Sequence, residues 1–139
     1  MPPSDNIAGM YRATTRKVQI TVTPEYSSDR SSPGDDEYFW AYTIEILNLG
    51  EEAVQLVSRH WKITDANGRT EEIKGAGVVG KQPVLRKGER FEYTSGVPLK
   101  TPSGMMSGTY QMVTEDGDDF DAEVPAFSLD SPAMKKVMH

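Results

Sequence analysis

The chain has 139 residues, no cysteine, and a formal net charge of −6 from 21 acidic and 15 basic side chains. One domain of that size buries enough apolar surface to fold without staples, and the missing thiols exclude disulfides, thiolate catalysis and cysteine-ligated zinc. The acidic balance, with its basic residues scattered, argues against nucleic acid as a partner, because counterion release needs several clustered Lys or Arg contacts.

Residues 1–10 carry two prolines, a glycine and small polar groups, and read as a frayed start before a domain over 11–129 and a tail over 130–139. No apolar run of signal-peptide length occurs through Lys17 and no later stretch approaches a membrane span, so the expected location is cytoplasmic, with no membrane partner. Val18, Ile20 and Val22 alternate with Gln19, Thr21 and Thr23, the period-two signature of a half-buried strand, which Pro24 is expected to close. Ser27 to Glu37 reads as an exposed loop with an acidic cluster.

The strongest strand follows. Tyr38, Trp40, Tyr42, Ile44 and Ile46 occupy alternate positions, and aromatic and β-branched residues at that spacing suit a pleated, half-buried surface. Asn48-Leu49-Gly50 turns the chain into Val54 to Asp65. There the apolar phase slips from Val54 and Leu56 to Val57, Trp61 and Ile63, which predicts a β-bulge near Val57-Ser58. Asn67-Gly68 predicts a type I′ hairpin into Thr70 to Lys74. Further strands are expected around Phe91 to Val97, Tyr110 to Met112 and Phe120 to Val124, the last two joined at Asp116-Gly117. Many short strands without sustained helical periodicity predict an all-β immunoglobulin-like or fibronectin type III-like sandwich of seven to eight strands, with Trp40 and Trp61 as core anchors.

Gly75-Ala76-Gly77-Val78-Val79-Gly80 has the G-x-G-x-x-G form, and Gly80-Lys81 half-matches a phosphate loop. Both phosphate-binding readings need a helix directly after the glycines, whose N–H groups hold the phosphate. Gln82 replaces the required hydroxyl, Pro83 disfavours helix before it, and no helical pattern follows. A glycine-rich connection between strands is the plainer reading. A looser anion site built from Gly75, Gly77, Gly80 and Lys81 is the alternative.

Two histidines and no cysteines cannot build a four-ligand zinc site, and Glu115 to Asp121 lacks the spacing of a calcium loop, so neither metal nor cofactor is expected. His60 should point away from the face that carries Trp61 and Ile63, as a hydrogen-bonding group on the sheet surface. No nucleophile elbow is present, and no catalytic residues are assigned. Gly104-Met105-Met106-Ser107-Gly108 reads as an apolar loop whose adaptable Met105 and Met106 suit a protein interface.

Several segments read together resemble the ApaG (CorD) family. They are Phe39-Trp40-Ala41-Tyr42-Thr43-Ile44 with Asn48-Leu49-Gly50, Ser58-Arg59-His60-Trp61, and the run from Gly75 to Pro83. Tyr93 to Leu99, Thr101 to Met112 and Val124 to Leu129 complete the pattern. The resemblance implies a fibronectin-III-like sandwich. It also implies a link to cobalt and magnesium tolerance and to dinucleoside polyphosphate metabolism, in bacterial proteins without an established activity. In eukaryotic relatives it implies a protein-binding module within F-box adaptors and a polymerase-delta-interacting protein. Its glycine motif carries over onto Gly75, Gly77 and Gly80.

The function expected is a non-enzymatic module that binds a protein partner, or a second copy of itself. The alternatives are weak anion or nucleotide (pyrophosphate) binding at residues 75–81, and a direct role in cobalt or magnesium tolerance through Asp116 to Asp121.

Overall fold

The structure, a computed structural model, describes residues 9–132. Most of the expected frayed start and tail therefore lies outside the described residues. Two antiparallel sheets pack face to face. The strands are β1 (Tyr11–Thr15), β2 (Val18–Tyr26), β3 (Tyr38–Asn48), β4 (Val54–Asp65), β5 (Thr70–Ala76), β6 (Val84–Leu85), β7 (Arg90–Leu99), β8 (Ser103–Thr114) and β9 (Asp119–Asp130). One sheet runs β1-β2-β3-β7; the other runs β5-β4-β8-β9, with β6 adding to β4. A single 3₁₀ turn, Pro33–Asp35, interrupts the loop between β2 and β3.

The alternation seen in the sequence sets the faces. Trp40, Tyr42, Ile44 and Ile46 of β3 point inward with Val18, Ile20 and Val22 of β2 and meet Trp61, Tyr110 and Phe127 of the facing sheet. Aromatic edge-to-face contacts run through this core, with Trp61 touching Tyr42, Tyr110 and Phe127 at centroid distances of 5.7, 6.0 and 6.4 Å. Trp40 donates its indole N–H to the carbonyl of Asp130 at 3.1 Å, which ties the end of β9 to the other sheet. Buried Asn48 plugs the β3–β4 turn: its amide donates to the carbonyls of Glu52 and Leu85, and its oxygen accepts from the Gly50 N–H.

Several local expectations are corrected. The β-bulge is present, with the β4–β8 register shifting between Leu56 and Ser58, but Val57 is the bulged residue and lies exposed rather than in the core. Pro24 does not end its strand, since β2 continues to Tyr26 paired with β3. β1 stops opposite Val22, so Pro24 sits where β2 has no strand on its other side and no ladder bond is lost there. β1 itself has no clear sequence alternation and joins β2 through Arg16-Lys17, both at positive φ (46° and 66°), the two-residue geometry of a type I′ turn.

Asn67-Gly68, by contrast, is not a type I′ turn. Only Gly68 has positive φ (83°); Asp65 and Arg69 close a three-residue loop, and the Asp65 carboxylate accepts from the N–H groups of Asn67 and Arg69. The β8–β9 turn repeats this design, with Gly117 at φ 86° and Thr114 bonded to Asp118.

The largest correction concerns Met105 and Met106. They lie not in a loop but inside β8, a central strand between β4 and β9. Met106 is buried in the core, while Met105 stands exposed on the outer face, as neighbours on a strand must.

Candidate functional site

The two long sides of the sandwich differ. On one side β9 packs under β1 and β2, with the Tyr11 and Phe127 rings 6.1 Å apart and Tyr11 Oη accepting from the Ser128 N–H. The edges on the other side, β5 and β7, are not drawn together in this way. Every residue of β5 except the partly buried Gly75 is exposed, including Ile73. On this side two separate hollows open between the sheets, one toward each end of β5.

One of them, a groove with a volume of about 610 Å³, is lined by Ile63, Pro98 and Leu99 with Asp65, Arg69, Glu71 and Lys100 around it. At the other end lies a smaller cavity of about 170 Å³ lined by Tyr42, Arg59, Trp61, Val78, Val79, Tyr93 and Ser95. The bulge in β4 brings Arg59 to this second cavity. By adding one residue it puts Arg59 in phase with inward-facing Trp61 and Ile63, so a partly buried guanidinium lies between the sheets.

Arg59 is held in place by the glycine-rich segment. Its Nη1 donates to the carbonyls of Ala76 at 3.0 Å and Gly77 at 2.7 Å. Gly75 is its cross-strand neighbour, and a Cβ there would stand 2.9 Å from Arg59 Cζ, so glycine leaves the space that the guanidinium occupies. Gly77 has φ 61°, and any Cβ on it would collide with the Lys81 carbonyl. Beyond it, Val78 and Lys81 exchange two backbone bonds (2.8 and 2.9 Å) around Val79 and Gly80, both at positive φ. This is a tight type I′ hairpin with Val78 buried beneath it.

No helix follows the glycines, and the N–H groups of Gly77, Val78 and Lys81 are bonded within the protein. Gly77 and Gly80 are thus placed where positive φ favours glycine, Gly75 sits where the end of the Arg59 side chain fills the space of a Cβ, and Lys81 is exposed on the hairpin. Sequence reasoning found this segment but not Arg59, the residue it surrounds. The one available signal was the phase slip in β4.

Opposite Arg59, three tyrosines from different strands share the interior. Tyr93 and Tyr110 hydroxyls lie 2.5 Å apart, and Tyr42 stands opposite Ser95 across β3 and β7. Burial raises the pKa of Tyr42, against smaller lowering effects from Ser95 and the Arg59 charge. Burial also raises Tyr93, offset in part by its bond to Tyr110, and pushes Tyr110 well up with the help of the Tyr93 hydroxyl. All three hydroxyls are therefore neutral at physiological pH. Within the Tyr93–Tyr110 pair only one of the two hydroxyl hydrogens is spent, which leaves the other for a further acceptor.

His60 faces outward, away from Trp61, and bonds Glu72 at 2.7 Å; that bond holds the Glu72 carboxyl below the usual range. Among the described residues no three His, Asp or Glu side chains gather as a metal site, the Asp116 to Asp121 hairpin included. Among the described residues no helix is long and apolar enough to cross a membrane.

Comparison with known proteins places this architecture. The model of the ApaG domain matches residues 28–114. Protein ApaG of Azorhizobium caulinodans is 62% identical over 130 residues, which span 94% of this chain and the whole of that protein. Protein ApaG of Xanthobacter autotrophicus is 58% identical over the same shares of both chains. A crystal structure of a Bordetella pertussis protein described as ApaA superposes with a TM-score of 0.80 at 46% identity, covering 87% of this chain and 95% of that one. By sequence over nearly its full length, and by fold, this chain belongs to the ApaG family.

Proposed function

We propose that the domain is a protein-recognition module without catalytic activity of its own, and that it binds an extended segment of its partner along β5. The observation that carries this reading is the open side of the sandwich: β5 is an edge strand exposed along its length and bordered by an inter-sheet groove. An unpaired edge offers backbone donors and acceptors to an added strand, while alternate side chains of that strand enter the groove. Ile73, Ile63 and Leu99 supply the apolar contacts. On this reading the cobalt and magnesium tolerance associated with the family belongs to the partner rather than to a metal held by this chain, and the compartment is the cytoplasm.

Photo-crosslinking in the host tests it. A photoreactive residue in place of Ile73 should give discrete protein adducts that the same group in place of Leu49, exposed at the far side of the β3–β4 turn, does not give. Equal adducts from both positions, or none from position 73, would remove β5 as the binding edge.

A further inference from the structure

We infer that the cavity at Arg59 is a carboxylate site, and that it takes the C-terminal carboxylate of the partner segment lying along β5. The inference rests on the groove reading above and adds the chemistry of one end of it.

The first observation is the cation. Arg59 is partly buried on the inner face of its sheet, and among the described residues no carboxylate forms an ion pair with it. Its Nη1 is committed to the Ala76 and Gly77 carbonyls, which fixes the guanidinium and leaves the Nε and Nη2 hydrogens. A cation drawn out of water ordinarily gains an anionic partner. A planar fork held rigidly is matched to the two oxygens of a carboxylate.

The second observation is that the other polar groups lining the cavity are donors as well. Ser95, Tyr42 and Tyr93 bring hydroxyls, burial keeps the tyrosines protonated, and the Tyr93–Tyr110 pair retains one unspent hydrogen. Such a lining can donate to an acceptor-only group. The volume of about 170 Å³ admits a carboxylate with a small side chain, whereas sites for larger ligands run to roughly 300–1,000 Å³.

The third observation identifies the source of the carboxylate. The Val78–Lys81 hairpin closes the cavity, with Val78 anchored in the core and Val79 on the wall. A strand running along β5 toward it meets a stop, which suits a chain end and not the middle of a chain. From Ile63 to Arg59 is four residues of β4, about 13 Å at strand rise. Side chains on one face recur every second residue, so the fourth residue before the terminus falls in the groove at Ile63, Pro98 and Leu99.

Isotope-labelled full-length protein would be titrated with N-acetyl Leu-Thr-Val-Thr-Val as the free acid, with the same peptide as the C-terminal amide, and with acetate alone. The free acid should shift the Arg59 Nε–H and the amides of Ser95 and Gly77 saturably, and the amide should bind at least about tenfold more weakly. Ser95→Ala should weaken binding of the acid peptide. Equal binding of acid and amide along β5 would overturn the carboxylate site while leaving the groove reading intact. Acetate saturating Arg59 as tightly as the peptide would overturn the assignment to a chain terminus. Absence of any shift at Arg59 with the free acid would overturn the inference outright.

Discussion

The guanidinium of Arg59 lies across Gly75, its neighbour on β5, and reaches past it to the carbonyls of Ala76 and Gly77. This contact gives the two glycines different sensitivities. At Gly75 the obstacle to a side chain is the far end of Arg59, which can swing away. At Gly77 it is the backbone of Lys81 together with φ 61°. Gly75→Ala should fold with about 1 kcal/mol or less of destabilisation but expel Arg59 from the cavity. Gly77→Ala should cost about 2 kcal/mol or more. Denaturant melts of both, alone and with Arg59→Met, would show it. The Gly75→Ala cost should vanish in the Arg59→Met background, while the Gly77→Ala cost should persist.

The buried tyrosines set an alkaline limit. Burial raises the pKa of Tyr42, Tyr93 and Tyr110 in the folded state above the unfolded value of about 10. The folded protein therefore holds these protons more tightly than the unfolded chain. Their stabilising contribution is complete below about pH 10 and is lost as pH rises toward the folded values. Tyrosinate absorbance from these three should appear together with loss of the folded circular dichroism signal. Their ionisation near pH 10 in a protein still folded would contradict this.

Met105 and Met106 should behave as opposites. Met106→Ala removes a side chain that is 2% exposed and should cost about 2–4 kcal/mol. Met105 is 46% exposed, and Met105→Ala should stay within about 0.5 kcal/mol. Similar melting midpoints for the two variants would contradict the inward and outward assignment.

The β1–β2 turn is open to improvement. Lys17 holds φ 66° without the freedom of glycine, so Lys17→Gly should stabilise by about 0.5–1 kcal/mol. Arg16, whose guanidinium sits 4.8 Å from the Phe120 ring centroid, is better left unchanged. A lower denaturation midpoint for Lys17→Gly would show that the turn is not strained at that residue.

The expectations that failed share a cause. Gly104 and Gly108 looked like the ends of a loop because glycine so often punctuates strands. Here a Cβ on Gly104 would stand 2.6 Å from the Thr64 carbonyl, and one on Gly108 would stand 2.6 Å from the Trp61 ring. These glycines mark close approach across neighbouring strands, which is a property of the pairing partner and not of the local segment. Asn67-Gly68 failed in a related way, because the Asp65 carboxylate two residues earlier organises a different turn.

By itself, the sequence determined the strands with period-two alternation, the inward face of each, Trp40 and Trp61 as core residues, and the bulge that slips the phase of β4. These are readable because a strand's faces follow from its own pleat and from which of its side chains are apolar. The tertiary structure alone decided which edges stay open and which residues meet there. Tyr42 of β3, Arg59 of β4, Gly75 of β5, Tyr93 of β7 and Tyr110 of β8 converge only through strand order and sheet packing. Those are long-range pairings, and the local pattern of no single strand specifies them.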